Sequence, residues 1–190
     1  MSTQAQYNST GDGAVDIVDI VDRLSGLPAG SPIHTLRHQR EKVAAATQGS
    51  YDTLFDPTLE GIGLDERLLV ALYACRLTGG SELIAHYRER LLALPADAAQ
   101  LKVVEQGVPE DLPAGRLQAM LAFTRALTER PVEGDKAAIE TLPAAGISTP
   151  AVVALAQLIA FISYQVRVVA GLKAMDALNK QVNTAAGAQA

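Results

Sequence analysis

Residues 64–87 read LDERLLVALYACRLTGGSELIAHY, and this stretch decides the fold. Apolar residues recur at helical spacing on both sides of a Gly-Gly pair, which predicts a helix over 65–77 and a second helix after it. Gly79 is suited to the left-handed conformation that ends the first helix. Ser81 is predicted to cap the second helix, with Glu82 in its first turn, where the helix dipole favours a carboxylate. The stretch therefore predicts a helix-turn-helix.

The rest of the chain follows the same helical pattern. Aromatic residues make up only 4% of the sequence, and no run of alternating β-branched residues is bounded by hairpin turns. We therefore predict an all-α protein. Further helices are predicted at 15–24, at 33–49 with a resumption at 51–55, after Asp97, at 115–128, at 136–142 and from Pro150 onward.

These elements predict one domain with two irregular ends. Residues 1–13 are predicted to be a flexible N-terminus, and 179–190 a disordered tail. Between them, 14–178 form a single helical domain, in which 14–57 are an arm and 58–178 are the core. A chain of 190 residues that is 48% hydrophobic can bury a substantial core.

Charge and composition indicate which partners the protein is not expected to bind and in which compartment it is expected to reside. The formal net charge is −5 without a dense Lys/Arg cluster, so nucleic acid and an anionic membrane surface are not expected partners. The most apolar window, 151–162, is about half the ~20 residues of a spanning helix and is predicted to be a buried helix. No signal peptide is recognised at the N-terminus, which predicts cytoplasmic residence.

The helix-turn-helix resembles the core motif of the AhpD-like and carboxymuconolactone decarboxylase family. In that family, one helix begins with an acidic-basic pair and ends at glycine, and a Cys-x-x-Cys followed by histidine opens the next. With His86 placed on the family's histidine, the two cysteine positions fall on Gly79 and Glu82. Two further stretches, 17–57 and 142–172, strengthen the resemblance. It implies an AhpD-like helical fold with an N-terminal helical arm, assembled as a homo-oligomer.

The resemblance implies a function without the redox dithiol. Cys75 is the only cysteine, which excludes a dithiol cycle within one chain. What remains is acid-base chemistry at His86 with Glu82 on a small acidic or lactone-like molecule, without a cofactor. One alternative is a non-catalytic oligomeric subunit or binding module that supports a redox-competent, peroxidase-related family member. A second is a one-cysteine peroxidase that uses Cys75.

Four more residues are site candidates with competing structural interpretations. Glu66 is a candidate for the family's relay glutamate, although direct alignment places Arg67 there. Tyr73 and Tyr87 are candidates for lining a substrate cavity, but tyrosines at helical spacing also fill cores. Cys75 has apolar neighbours, which favour a buried and unreactive thiol.

His34 and His38 are the remaining pair with a chemical spacing. Histidines four residues apart on a helix can reach one metal ion. No third ligand stands at a recognisable offset in the sequence, so no metal site is predicted. The alternative is a solvated helix face that also carries Arg37 and Glu41.

Overall fold

The computed structural model describes residues 19–187, and this part of the chain is built from helices without a strand. The all-α prediction is confirmed for these residues, whereas the predicted flexible segment 1–13 lies outside them. The helices are α1 (Ile20–Ser25), α2 (Pro32–His38), α3 (Glu41–Leu54), α4 (Leu64–Thr78), α5 (Ser81–Leu92), α6 (Ala98–Gln106), α7 (Arg116–Glu129), α8 (Lys136–Ala144) and α9 (Thr149–Gly187), with short 3-10 turns at Pro109–Asp111 and Pro131–Glu133.

Helix α4 is the centre of the fold. Every residue from 67 to 75 is buried, so the helix is enclosed on all sides. It packs against α5, α6, α7 and α9. A helix that is apolar around its whole circumference is stable in water only when other elements cover every face. The central position of α4 therefore follows from its composition.

The turn between α4 and α5 largely agrees with the prediction from the sequence. Gly79 has φ 79° and ψ 23°, and its N–H donates to the Cys75 carbonyl at 2.9 Å, which confirms the left-handed cap. The predicted cap at Ser81 is wrong by one residue, because Gly80 is the N-cap and Ser81 begins the helix. The Ser81 hydroxyl instead donates to Glu82, which lies in the first turn as predicted.

The N-terminal arm is broken where the sequence predicts a continuous helix. Instead of one helix over 33–49, α2 ends at His38 and α3 begins at Glu41, with Arg40 at φ −108° and ψ 58°. Neither glycine nor proline marks this break. Tertiary contacts explain it, because α2 ends where its side chains bind carboxylates on α1, while α3 packs against α9.

Helix α9 is longer than the sequence indicates. Its first half is a core helix, with Leu155, Leu158, Ile162 and Val169 buried. The helix then continues to Gly187 instead of ending at 178, so 179–187 differ from the predicted disordered tail. By length and hydropathy alone, α9 is the one helix within 19–187 that could cross a membrane, and 39% of its most apolar window is buried in the fold.

Candidate functional site

The structure places His86 at a junction of three helices. The side chain lies on α5 and is buried, with 6% of the residue exposed. The distance from Nη2 of Arg23, on α1, to His86 Nδ1 is 3.1 Å. The distance from the hydroxyl oxygen of Tyr51, on α3, to His86 Nε2 is 2.7 Å. Arg90, one turn further along α5, donates to the same hydroxyl at 2.7 Å.

These contacts determine the histidine tautomer. A guanidinium can only donate, so His86 Nδ1 must accept from Arg23. The proton of the neutral imidazole is therefore on Nε2, which donates to the Tyr51 oxygen. Since that oxygen also accepts from Arg90, the Tyr51 hydroxyl proton is not used by either neighbour. Tyr51 can therefore donate it to a bound molecule.

Burial keeps both His86 and Tyr51 uncharged at neutral pH, and the nearby positive charges add to this effect at His86 only. Burial is the main reason that the pKa of His86 is lowered to about 4, and the positive charges of Arg23 and Arg90 contribute to that shift. Burial raises the pKa of Tyr51, against an opposing effect of Arg90. The charge of the site at neutral pH therefore comes from the two guanidinium groups.

The two arginines of the site lack an acidic partner within residues 19–187. Neither Arg23 nor Arg90 forms an ion pair with a described carboxylate. The Arg90 guanidinium instead lies over the rings of Tyr51 and Phe55, at 5.3 and 5.0 Å from their centroids. Each guanidinium has five N–H donors, so most of them stay available to an anion.

Glu82 does not contact His86 in the structure, which opposes the predicted acid-base role of the two residues together. Its carboxylate contacts Lys173 Nζ of α9 and accepts from the Ser81 hydroxyl. The hydrogen bond from Lys173 is the main reason that the pKa of Glu82 is lowered to about 2. Glu82 therefore joins α5 to α9 on the surface, and the tautomer of His86 is set by Arg23 instead.

Glu66 is also placed away from His86. One carboxylate oxygen accepts from the Gly63 N–H at 2.9 Å and caps α4, while the other pairs with Arg116 of α7 at 2.8 Å. A relay role for Glu66 at His86 is thus not compatible with its contacts. The aligned residue Arg67 is buried and donates to backbone carbonyls.

Cys75 is fully buried, as its apolar neighbours predict. Burial raises the pKa of its thiol well above the ordinary value, so the thiol stays protonated. A peroxidase needs the thiolate at an accessible position. This environment opposes the one-cysteine peroxidase alternative.

Tyr73 and Tyr87 fill the core, which is the second of the two roles that the sequence allows for them. Both are 0% exposed. The Tyr73 oxygen accepts from Arg125 Nε at 2.7 Å, and the Tyr87 hydroxyl donates to Gln165 Oε1 at 2.6 Å. Tyr87 also packs against the His86 ring, with centroids 4.9 Å apart. The complete burial of both side chains opposes their predicted role in lining a substrate cavity, although Tyr87 supports His86.

Sequence reasoning missed three of the four polar residues of the site. Arg90 was the one with a signal, since it lies four residues after His86 and therefore on the same helix face. Tyr51 and Arg23 are separated from His86 by 35 and 63 residues. No local spacing connects them, and they come together only because α1 packs against both α3 and α5.

An open groove of about 570 Å³ lies on the other side of α3, between this helix and α9. It contains none of the residues predicted for the site. Its lining is small and uncharged: Ala46, Gly49, Ser50, Thr53, Leu54, Gln157 and Phe161. The groove therefore lacks groups that would move a proton or bind a charge.

No family model matches the chain, and no curated protein is significantly similar to it. The resemblance to the AhpD-like and carboxymuconolactone decarboxylase family therefore stays a prediction that is based on the motif in 64–87.

Proposed function

We propose that the Tyr51–His86 site binds a small organic carboxylate and that Tyr51 donates a proton or hydrogen bond to an oxygen of that molecule. The following contact pattern is the main support for this proposal. Two guanidinium groups without a described carboxylate partner meet on a neutral tyrosine-histidine pair. Arginine donors in a fixed fork match the geometry of a carboxylate.

The contacts of Tyr51 assign distinct roles to the residues of the site. Proton transfer from Tyr51 leaves a phenolate, which Arg90 and the Nε2–H of His86 stabilise from 2.7 Å each. His86 is then a positioning residue, because its low pKa makes it a poor acid-base group at neutral pH. Arg23 keeps Nδ1 unprotonated, so that Nε2 always presents its proton to Tyr51.

This chemistry agrees with what the family resemblance implies. A lactone acid or a keto acid carries a carboxylate for the arginines and a second oxygen for Tyr51. The proposed site performs acid-base chemistry without a thiol, as the decarboxylase branch of the family does. It differs from the sequence prediction in the proton donor, which is Tyr51 instead of His86 with Glu82.

The proposal is tested by titrating the protein with a panel of small dicarboxylates and γ-lactone carboxylates, with calorimetry and the NMR signals of the His86 ring as readouts. We expect at least one compound to bind saturably and to shift the His86 signals. Arg90→Gln and Arg23→Gln should each weaken binding about 10- to 100-fold, since each removes charge-assisted hydrogen bonds. Tyr51→Phe should keep the affinity within a few-fold, because both guanidinium groups remain in the site.

Arg88→Gln is the matched control, since Arg88 lies on the same helix but is exposed and pairs with Glu105 at 2.6 Å. This variant should bind like the wild type. Equal affinity in Arg90→Gln and the wild type, or no binding from the panel at about 10 mM, contradicts the proposal.

A second candidate function, as a subunit of an assembly, is favoured by the exposed half of α9. Leu178 and Val182 are about 60% exposed, at 62% and 59%, and Met175 is 43% exposed. Toward the core, an apolar groove of about 400 Å³ runs between α9 and the α2–α3 pair, and Met175 belongs to its lining. Apolar residues at i and i+4 on an unpartnered helix are the pattern of a helix-helix interface.

The assembly candidate predicts a homo-oligomer in light scattering after size-exclusion chromatography. Leu178→Glu combined with Val182→Glu should give a monomer, because two charges would be buried in the interface. Gln181→Glu combined with Asn183→Glu adds the same charge on the same turn and should leave the oligomer intact. A wild-type monomer at about 100 μM, or dissociation by both double variants, argues against an interface at this surface.

A further inference from the structure

A second polar cluster lies between α1 and α2, apart from the Tyr51–His86 site. Asp22 of α1 faces the imidazoles of His34 and His38, which lie on successive turns of α2. Asp22 Oδ2 is 2.6 Å from His38 Nε2 and 3.7 Å from His34 Nε2. The two rings are stacked, with centroids 4.3 Å apart, and the three ligand atoms lie within 4.8 Å of one another.

This arrangement corrects the prediction that His34 and His38 lack a third ligand. Asp22 is 16 residues before His38, in another helix, so no helical spacing connects it with the pair. The turn after α1 folds α2 back so that the carboxylate meets both rings. The third ligand is thus supplied by tertiary structure.

We propose that Asp22, His34 and His38 bind a divalent transition-metal ion of the zinc class, with the remaining coordination positions open to water or a ligand. Two imidazole nitrogens and one carboxylate oxygen are a donor set that zinc, cobalt and nickel accept. Three protein ligands with an open position distinguish a reactive or exchangeable site from a closed structural one.

The surroundings of Asp22 orient its free oxygen toward the imidazoles. Arg37 Nη1 donates to Asp22 Oδ1 at 2.9 Å, and its Nη2 donates to Asp19 at 3.1 Å. Oδ2 is therefore left to face His34 and His38. A hydrogen-bond donor such as Arg37 holds a metal-binding carboxylate in position before the metal binds. With neutral imidazoles, two carboxylates and one guanidinium give the cluster a charge of about −1, which favours a cation.

The cluster is also open enough for an ion to enter. The side chains of His34 and His38 are 24% and 34% exposed, whereas that of Asp22 is 9% exposed. The carboxylate thus forms the floor of the site and the imidazoles form its rim. An ion can reach all three ligands without unfolding either helix.

Binding requires small rearrangements that limit the affinity. Ligand bonds of about 2.0–2.1 Å in a tetrahedron place the donor atoms about 3.3 Å apart, so the contact between Asp22 and His38 must open. The His34 proton must move to Nδ1, which gives up a 3.3 Å contact from the Gly30 N–H. The His38 ring must also turn away from Arg37 Nη1, which lies 3.3 Å from its Nε2 and stays on Asp22 Oδ1. These costs favour an affinity in the micromolar range over the nanomolar range.

A bound ion would also tie α1 to α2. Asp22 directly precedes Arg23, which contacts His86 in the other site. The metal would therefore restrict the helix that presents Arg23. The metal site does not depend on the proposed carboxylate function, and its test needs no substrate.

The test uses tag-free protein, Co²⁺ absorption and Zn²⁺ calorimetry. We expect one equivalent of Co²⁺ to give visible d–d bands, and Zn²⁺ to compete for the same site. His34→Ala and His38→Ala should each weaken binding at least 10-fold. His86→Ala is the matched control, since it removes the remaining one of the three histidines of the chain, and should bind as the wild type does.

Two measurements on the wild type keep the test independent of how the variants fold. Nitrogen NMR of the imidazole rings should show Zn²⁺ shifting the Nε2 signals of His34 and His38 far more than those of His86, which touches α1 only through Arg23. Zn²⁺ at about 100 times its Kd should raise Tm by about 5–10 °C. The proposal is overturned by the absence of binding at about 100 μM metal, by equal binding in His34→Ala, or by a response of His86 in place of the pair.

Discussion

Arg67→Ala is expected to lower the free energy of unfolding by about 3–5 kcal/mol, which is the largest effect that we predict for a single substitution. Arg67 is 1% exposed, and its guanidinium donates to the carbonyls of Leu54 at 2.7 Å, Asp56 at 2.9 Å and Gly63 at 3.3 Å. It thereby satisfies the carbonyls at the end of α3 and joins that helix to the start of α4. Alanine would leave these carbonyls without a partner and would create a cavity.

Urea denaturation followed by far-UV circular dichroism measures this effect. Arg76→Ala is the matched control on the same helix, because Arg76 is exposed in the last turn of α4 and should cost less than about 1 kcal/mol. Arg67→Lys should recover only part of the loss, since one ammonium group cannot span three carbonyls. A cost below about 1 kcal/mol for Arg67→Ala would show that the hydrogen bonds from Arg67 to the three carbonyls contribute little to stability.

The second large effect is a loss of stability in acid that originates at His86. Its pKa is about 4 in the folded protein and about 6.5 in an unfolded chain, so the unfolded state binds more protons between these values. Stability from this residue is therefore fully present above pH 6.5 and is lost as the pH falls toward 4. The loss amounts to at most about 3 kcal/mol, and to less where solvent screens the two arginines.

This effect is measured as the difference in unfolding free energy between the wild type and His86→Gln, from pH 7 to pH 4. The wild type should lose more stability than the variant, because glutamine does not titrate. In NMR titrations, Arg23→Gln should raise the pKa of His86, since it removes one neighbouring positive charge. Arg88→Gln removes an exposed charge on the same helix and should leave that pKa unchanged. Titration of His86 near 6.5 in the wild type contradicts the site geometry.

The sequence allowed most of the helices to be predicted, because the signals that start and end a helix are local. The helical spacing of apolar residues in 64–78 predicts a helix, and Gly79 predicts where it ends. The starts of α6 at Asp97 and of α9 before Pro150 also follow from residues that lie next to them. Helix caps and periodicity are properties of neighbours in the chain, so a single sequence contains them.

The candidate site was predicted at His86 alone, because its partners are distant in sequence. Glu82 has the right spacing to pair with His86, yet Lys173 of α9 binds its carboxylate. The same limit applies to Asp22, which completes the cluster of His34 and His38 only after α1 and α2 have packed.

The sequence by itself determined that residues 19–187 are helical, that α4 ends at Gly79 and that the single thiol is buried in an apolar helix. Only the tertiary structure decided what His86 contacts, which tautomer it adopts and that Arg23 and Arg90 both reach the Tyr51–His86 pair. The physical reason is the range of the interactions. Helix formation depends on residues within one or two turns, whereas hydrogen bonds and pKa values at a site depend on whichever side chains the packing of several helices brings within a few ångströms.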